Sequence, residues 1–495
     1  MKINFIKFML LFCILSSYCL GYEYSDIYIK NDNHPPKEIK ALLQSYKNRQ
    51  MNNIDLNFLL KNIKDLYSKN GNIISSISVD LESINKDILI LNVNKVYINK
   101  IISDKNYFQA LTFKEKEILD MHKIDQFVEN LKTNLSEPKI AVVPSEIQDC
   151  YNIIIQTQRE KQFEGYIMLD NDNYKDYGRE NAYLGATRDN IILPGDILSL
   201  NLKERITKER KNHKERSYGI NYSVPIKSWK LNYNFSHEET EDRILNGNYK
   251  SQKDENTHNI EISKIYFRNA DTKLEMFFGL KLKDTKNYFD NIKLDVSSKK
   301  HNSIIAGTRM TRYVENGILY AEPSIEKGVA LFGGDGNKGD EQGDLPFDKE
   351  FLKYNFNVYF NKSFYPTKYG YFNYTFNING SYSKDHLLDA NKFEMGGSGS
   401  IRGFKENTVK GDKGVYISNT LSFERKMISP FVGLDFGLSR DYYREDDDKM
   451  IGAAAGVKFV KNDFSASLTF SKPLLRAKDM PKESNPIYFK ISYNF

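Results

Sequence analysis

Two periods of apolar and polar residues divide this chain. From Tyr22 to about Arg159 the apolar positions switch between helical spacing and strict alternation, and from about Phe163 to Phe495 only alternation remains. In the first part Asp26–Lys30 predicts a strand. Ile39, Leu42, Leu43 and Tyr46 then share one helical face, as do Leu56, Leu59, Leu60, Ile63, Leu66 and Tyr67 before the stop at Asn70-Gly71. Strands are expected over Ile73–Leu81 and Asp87–Val93. A second unit begins with a strand at Val96–Ile102. It continues with a capping box at Thr112 and Glu115, a helix carrying Phe127, Val128 and Leu131, and strands near Lys139–Val143 and Tyr151–Gln156. Two tandem α+β domains, 22–95 and 96–160, are the reading.

The remainder, 161–495, divides into sixteen alternating runs, from 162–170 and 179–188 to 463–472 and 486–495. An even count is what a closed antiparallel membrane barrel requires, and most runs approach the ~9–11 residues a tilted strand needs to cross a bilayer. The connections sort by parity. Even ones, such as Pro225-Ile226, Asn269-Ala270 and Lys461-Asn462, are short turns, while odd ones, such as Glu239–Glu255, Val329–Glu350 and Lys384–Lys413, are long and charged. A soluble sandwich gives no reason for that asymmetry; a transmembrane β-barrel with periplasmic turns and surface loops predicts it. In the eleventh run Phe372, Tyr374, Phe376 and Ile378 point to lipid, with Asn373, Thr375, Asn377 and Asn379 toward a watery lumen. Trp229, just past a short turn, suits an interfacial aromatic girdle. In the last run Ile487, Phe489, Ile491, Tyr493 and Phe495 share the outer face and end the chain on an aromatic residue. On a soluble edge strand those side chains would invite aggregation.

Composition sharpens this picture. Mean hydropathy is −0.57, yet the chain holds 33 Tyr, 31 Phe and 1 Trp. A barrel that alternates lipid-facing and lumen-facing residues keeps its average hydropathy low. Met1, Lys2 and Lys7 precede the apolar run Phe8–Leu15 and a small-residue stretch to Gly21, so 1–21 reads as a removed secretory signal peptide. Cys19 raises acylation as an alternative, but Tyr18 stands where a small residue is needed. Beyond the signal only Cys150 remains, and the 7 histidines lack metal-ligand spacing, so neither a thiolate metal centre nor a Cys/His enzyme is expected and no cofactor is implied. A net charge of +6 without a basic stripe gives no reason to invoke nucleic acid.

The eleventh connection carries Gly396-Gly397-Ser398-Gly399-Ser400-Ile401-Arg402-Gly403-Phe404, and the strand after the next turn reads Phe431-Val432-Gly433-Leu434-Asp435-Phe436-Gly437. These segments resemble the (V/I)RG(F/Y) motif of the sixth surface loop and the F-x-D-x-G strand motif of the BamA-like outer-membrane superfamily. The GGSGS flank is similar to its two-partner secretion branch, the TpsB transporters or FhaC/ShlB/HecB-like hemolysin secretion/activation proteins. Leu169-Asp170-Asn171, Asp189-Asn190 and Gly195-Asp196 match the first barrel strands of that branch. The resemblance covers nearly the whole mature chain. It implies two periplasmic POTRA domains, POTRA 1 at 22–95 and POTRA 2 at 96–160, before a 16-stranded barrel with an inward-folding loop, 384–413.

Alternation places Phe431, Gly433, Asp435 and Gly437 on the lumen face. An acid there needs water or a partner, and Arg402 is the natural one if its loop folds inward. Gly433 and Gly437 would leave room for the tip formed by Gly396, Gly397, Ser400, Ile401, Arg402, Gly403 and Phe404. The pair is read either as a gate or as an architectural contact. By resemblance the partners are a cognate secreted TpsA-like exoprotein, outer-membrane lipid, and the barrel assembly machinery, for which the terminal strand would be the signal. A BamA-like insertase shares the fold, and a passive porin is a further alternative. The family often carries an amino-terminal plug helix, but here about four residues separate Gly21 from the first strand, so none is expected.

Three other spellings are set aside. Gly334–Gly339 spells G-x-G-x-x-G without a following helical period. Gly397-Ser398-Gly399 lacks the strand-turn-helix of a nucleophile elbow, and the acids at 445–448 lack ordered calcium spacing and read as a solvated face.

Overall fold

The computed structural model describes residues 21–495 except 85, 160, 174–178, 207–212, 245–248, 296 and 336–347; the expected signal peptide and most of the Gly334–Gly339 segment lie outside the described residues. The chain divides into two compact units, one running to Asn130 and resuming over Pro138–Gln158, the other formed by Leu131–Glu137 and Arg159–Phe495.

In the first unit Asp26–Ile29 pairs in parallel with Ile88–Lys95, which pairs antiparallel with Ile74–Val79. Helices α1 (Lys37–Tyr46) and α2 (Asn53–Lys69) cover this sheet. The helical stripes predicted from spacing supply Ile39, Leu43, Leu59, Ile63 and Tyr67 to a core closed by Ile27, Leu89, Leu91 and Val93 from the strands. Asn52 caps α2 through the amides of Ile54 and Asp55.

The second module is a sheet of Tyr97–Ser103, Cys150–Arg159 and Ser136–Pro144 with helix α3 (Met121–Leu131). Its expected capping box does not form. The helix starts nine residues after Thr112, where the Asp120 carboxylate accepts the His122 amide at 2.9 Å. Thr112 instead donates to the Lys123 carbonyl, and Glu115 accepts the Ile101 amide. A capping spelling has no force where the next residues do not enter a helix, and 104–119 is held irregular by the buried Tyr107, Phe113 and Leu119. The two modules join through backbone bonds: Ile73 donates to Leu119, Leu119 to Val96, Val96 to Ile73, and Met121 to Gly71.

The second unit is a closed antiparallel barrel. Its wall strands are β1 (Glu164–Asp170), β2 (Glu180–Asp189), β3 (Ile197–Ile206), β4 (His213–Ile226), β5 (Trp229–Ile244), β6 (Tyr249–Arg268), β7 (Thr272–Phe289), β8 (Lys299–Val314), β9 (Gly317–Val329), β10 (Leu352–Thr367), β11 (Gly370–Ser383), β12 (Lys413–Glu424), β13 (Ile428–Arg440), β14 (Asp448–Lys461), β15 (Phe464–Leu475) and β16 (Ile487–Asn494). The sixteen runs read from alternation are these sixteen strands. Closure is by β16 on β1, with Tyr493 opposite Ile167 and Ile491 opposite Leu169. Phe495 exchanges two backbone bonds with Gly165, at 2.8 and 2.9 Å.

The faces follow the pleat. On β13, Val432, Leu434, Phe436 and Leu438 are exposed where lipid would lie, while Asp435 is completely buried on the inner side. One expected surface loop differs: most of Glu239–Glu255 is strand, because β5, β6 and β7 run on past their apolar stretch. Charge made that segment read as a loop. Its charges pair across strands, as in Lys253 with Glu238, Lys250 with Glu241, and Lys283 with Glu255.

Candidate functional site

The connection 384–412 between β11 and β12 contains a short hairpin, Phe393–Met395 with Val409–Gly411, and the RGF segment lies at its tip. Two left-handed glycines, Gly396 at φ +128° and Gly397 at φ +89°, open the tip. Ser400 closes it, giving its hydroxyl to the Gly396 carbonyl (2.7 Å) and taking the Gly396 amide (2.8 Å). Ile401 and Phe404 are then buried with Phe393, Met395, Val409, Met450, Ala477 and Met480. The tip therefore has its own small apolar core on the barrel wall.

Arg402 extends from this tip to β12 and β13. Its Nε donates to Asp435 Oδ2 and its Nη2 to Asp435 Oδ1, both at 2.7 Å, and its backbone amide reaches Oδ2 at 2.9 Å. Nη1 also donates to Thr420 Oγ1 (3.1 Å) and Nη2 to the Asn419 carbonyl (2.6 Å). A planar guanidinium matches a carboxylate in this two-pronged way and a lysine cannot. The wall is cut to fit. A methyl group at Gly433 would collide with the guanidinium, one at Gly437 would stand 2.5 Å from Met395 Sδ, and one at Gly452 would overlap the Arg402 carbonyl. Gly403, at φ +117°, lies against the Lys472 backbone. Phe431 faces inward beneath Gly456.

Sequence reasoning missed the other holds on the loop, which join connections distant in the chain and have no signal in spacing. Ser398 bonds Asp172, and Arg179 pairs with Glu406 at 3.0 Å, both from the connection after β1. At the loop's root, Asp412 accepts the amides of Leu387 (2.5 Å) and Tyr442 (2.7 Å), and Lys392 pairs with Asp441 at 2.6 Å. His386, Asp412 and Asp441 approach as metal ligands would, but these bonds already engage both carboxylates. Of the acids at 445–448, Asp447 pairs with Arg440 (2.6 Å) and Asp448 with Arg444 (3.2 Å).

Elsewhere in the lumen Arg309 binds Glu261, Glu322 and Glu275 at 2.7, 2.8 and 3.4 Å and lies 4.0 Å from the centre of the Phe277 ring. Such groups fit a hydrated interior. The Asp189–Asp196 turn is also built from its motif: Asp196 accepts the amides of Ile191, Ile192 and Leu193 at 2.7–2.9 Å, and Asn190 accepts that of Gly195.

Several known proteins are similar to this chain. The outer membrane transporter CdiB of Dickeya dadantii is 23% identical over 473 residues, covering 92% of this chain and 83% of that protein. The hemolysin transporter protein HpmB of Proteus mirabilis is 29% identical over 314 residues, 58% of this chain and 51% of its own. The solved structure of CdiB from Escherichia coli superposes with a TM-score of 0.85 at 22% identity, covering 96% of this chain and 91% of that one. A ShlB-type POTRA domain matches residues 24–95. The profile described as haemolysin secretion/activation protein ShlB/FhaC/HecB matches residues 151–459, well over half of the chain, and the protein accordingly belongs to that family of outer-membrane transporters.

Proposed function

We infer that this chain carries one cognate exoprotein across the bacterial outer membrane by two-partner secretion, with the loop 384–413 as its gate. The observation that carries this reading is the Arg402–Asp435 seat, which holds a long loop on the inner wall of a polar barrel in a chain of this family. A loop seated by polar bonds and a small apolar core rather than by continuous strand pairing can leave without unfolding the wall.

The assignment of 22–95 and 96–160 as POTRA 1 and POTRA 2, and of 161–495 as the translocating barrel, belongs to the same reading. An unfolded exoprotein meets the amino-terminal domains first. Asp26–Ile29 and Ile74–Val79 are the outer strands of the first sheet, and Tyr97–Ser103 and Ser136–Pro144 those of the second, so each sheet offers edges to which an extended segment can add. Folding outside gives the movement its direction. Outer-membrane lipid surrounds the apolar belt, and the strand Ile487–Asn494 with Phe495 serves as the assembly signal.

Deleting the gene and following a large exoprotein encoded beside it tests this proposal. Export is expected to stop and to return on complementation; undiminished export without the chain would contradict it.

A further inference from the structure

The loop tip has a second hold on a separate part of the barrel. Glu483 stands in the connection 476–486, just before β16. Its Oε1 accepts the backbone amides of Lys405 (2.5 Å) and Glu406 (2.7 Å), and its Oε2 accepts the Asn407 side-chain amide (3.1 Å). Three donors from consecutive residues thus converge on one carboxylate, which as an acceptor-only group suits them. The mount is fixed, because the Pro486 carbonyl accepts both the amide (3.0 Å) and the hydroxyl (2.9 Å) of Ser471 on β15. Beside it Tyr488 donates its hydroxyl to the Phe404 carbonyl at 3.3 Å, and Lys405 Nζ lies 5.3 Å from the centre of the Tyr488 ring. Arg402 is seated on β12 and β13, whereas the limb that comes after it is seated on the end of the chain that closes the barrel.

We propose that Glu483 is a positioning residue of the gate: a second anchor, separate from Asp435, that clamps residues 405–407 and makes release of the loop depend on the last surface connection. The inference rests on reading the loop as the moving element. Glu483 acts through the loop and not on the transported chain. Because two of its three donors are backbone amides, the clamp depends on the acid at 483 more than on the loop's side chains. A glutamine there keeps one acceptor oxygen but turns a donor toward donors.

The test uses the full-length barrel with Cys150→Ser and Ile401→Cys, since Ile401 is completely buried in the seated tip. The initial rate of labelling by a membrane-impermeant maleimide then reads how often the tip leaves its seat. E483A is expected to raise that rate about tenfold, the shift that corresponds to losing roughly one charge-assisted hydrogen bond of net holding. E483Q should raise it less, and the R402A/E483A pair should exceed either single change. Labelling at the parental rate in E483A barrels that keep their heat-modifiable migration would overturn the proposal, as would a pair no faster than R402A alone. Should E483A not assemble, E483Q carries the same comparison, and an unchanged rate there overturns it. No exoprotein is present during labelling. Faster labelling therefore supports the Glu483 anchor by itself, whereas export that continues with the loop locked in its seat would retire the gating role and leave the anchor standing.

Discussion

Arg402 and Asp435, 33 residues apart in sequence, meet in a two-pronged ion pair whose acid is completely buried and whose arginine side chain is 11% exposed. The pair and the small apolar core beside it seat the tip on β12, β13 and β14, apart from the Glu483 clamp on the residues that follow. Removing one partner from a buried pair leaves the other charge without compensation, at a cost of about 3–5 kcal/mol. Arg402→Ala is therefore expected to unseat the tip and raise the frequency of open-channel events in planar bilayers by orders of magnitude, with barrel assembly retained. Arg402→Lys should fall between, since it keeps the charge and loses the fork.

Gly452→Ala reaches the same state without touching either charge. The added methyl would overlap the Arg402 carbonyl, so the tip must lift from β14. Raised open-channel frequency with unchanged migration of the folded barrel is the expected result. The wild-type frequency would show that the backbone can shift at no cost to the seat.

Which parts of the molecule were legible in the sequence depends on how each contact is built. The sixteen strands were readable because lipid on one side and water on the other force a two-residue period on every strand. Asp435 and its partner were readable because the strand motif fixes the face and the loop motif supplies the cation. The Glu239–Glu255 segment misled because cross-strand ion pairs give a strand the composition of a loop. Thr112 and Glu115 misled because a capping residue acts only where a helix begins directly after it, and Asp120 holds that place. Glu483, Asp172 and Arg179 were not readable at all. Their partners lie on other surface connections, and no spacing within the chain encodes which connections meet.

In the first amino-terminal module Asp32 takes the Tyr67 hydroxyl at 2.6 Å and the Lys95 ammonium at 2.9 Å, with its side chain 7% exposed. Burial alone would raise its carboxyl, but the bonds from Tyr67 and Lys95 outweigh burial and hold it below the ordinary value of 3.8. A depressed carboxyl contributes stability that is complete above its unfolded value and is lost as pH falls through the folded one. Asp32→Asn should accordingly destabilise this module by about 1–3 kcal/mol at neutral pH. The gap to wild type should close under strong acid. Hydrogen exchange of the α2 amides in the full-length protein measures it; a gap independent of pH would contradict the assignment.

Phe495 packs its ring against Phe163 and Tyr493 at centroid distances of 6.3 and 6.4 Å while its backbone closes on Gly165. Phe495→Ala should keep the backbone closure and lose the aromatic face. The expected outcome is a several-fold fall in heat-modifiable barrel per cell, with normal migration of the molecules that do assemble.

In the proposed mechanism the seated loop must leave for an exoprotein to pass. The Ser398 and Asp172 side chains are in hydrogen-bond contact across two surface connections, so paired cysteines there can tie the tip in place reversibly. With Asp172→Cys and Ser398→Cys in a Cys150→Ser background, export of the cognate exoprotein is predicted to stop under oxidising conditions and to resume when reductant is added to the same cells. Equal export in the locked and unlocked states would contradict it.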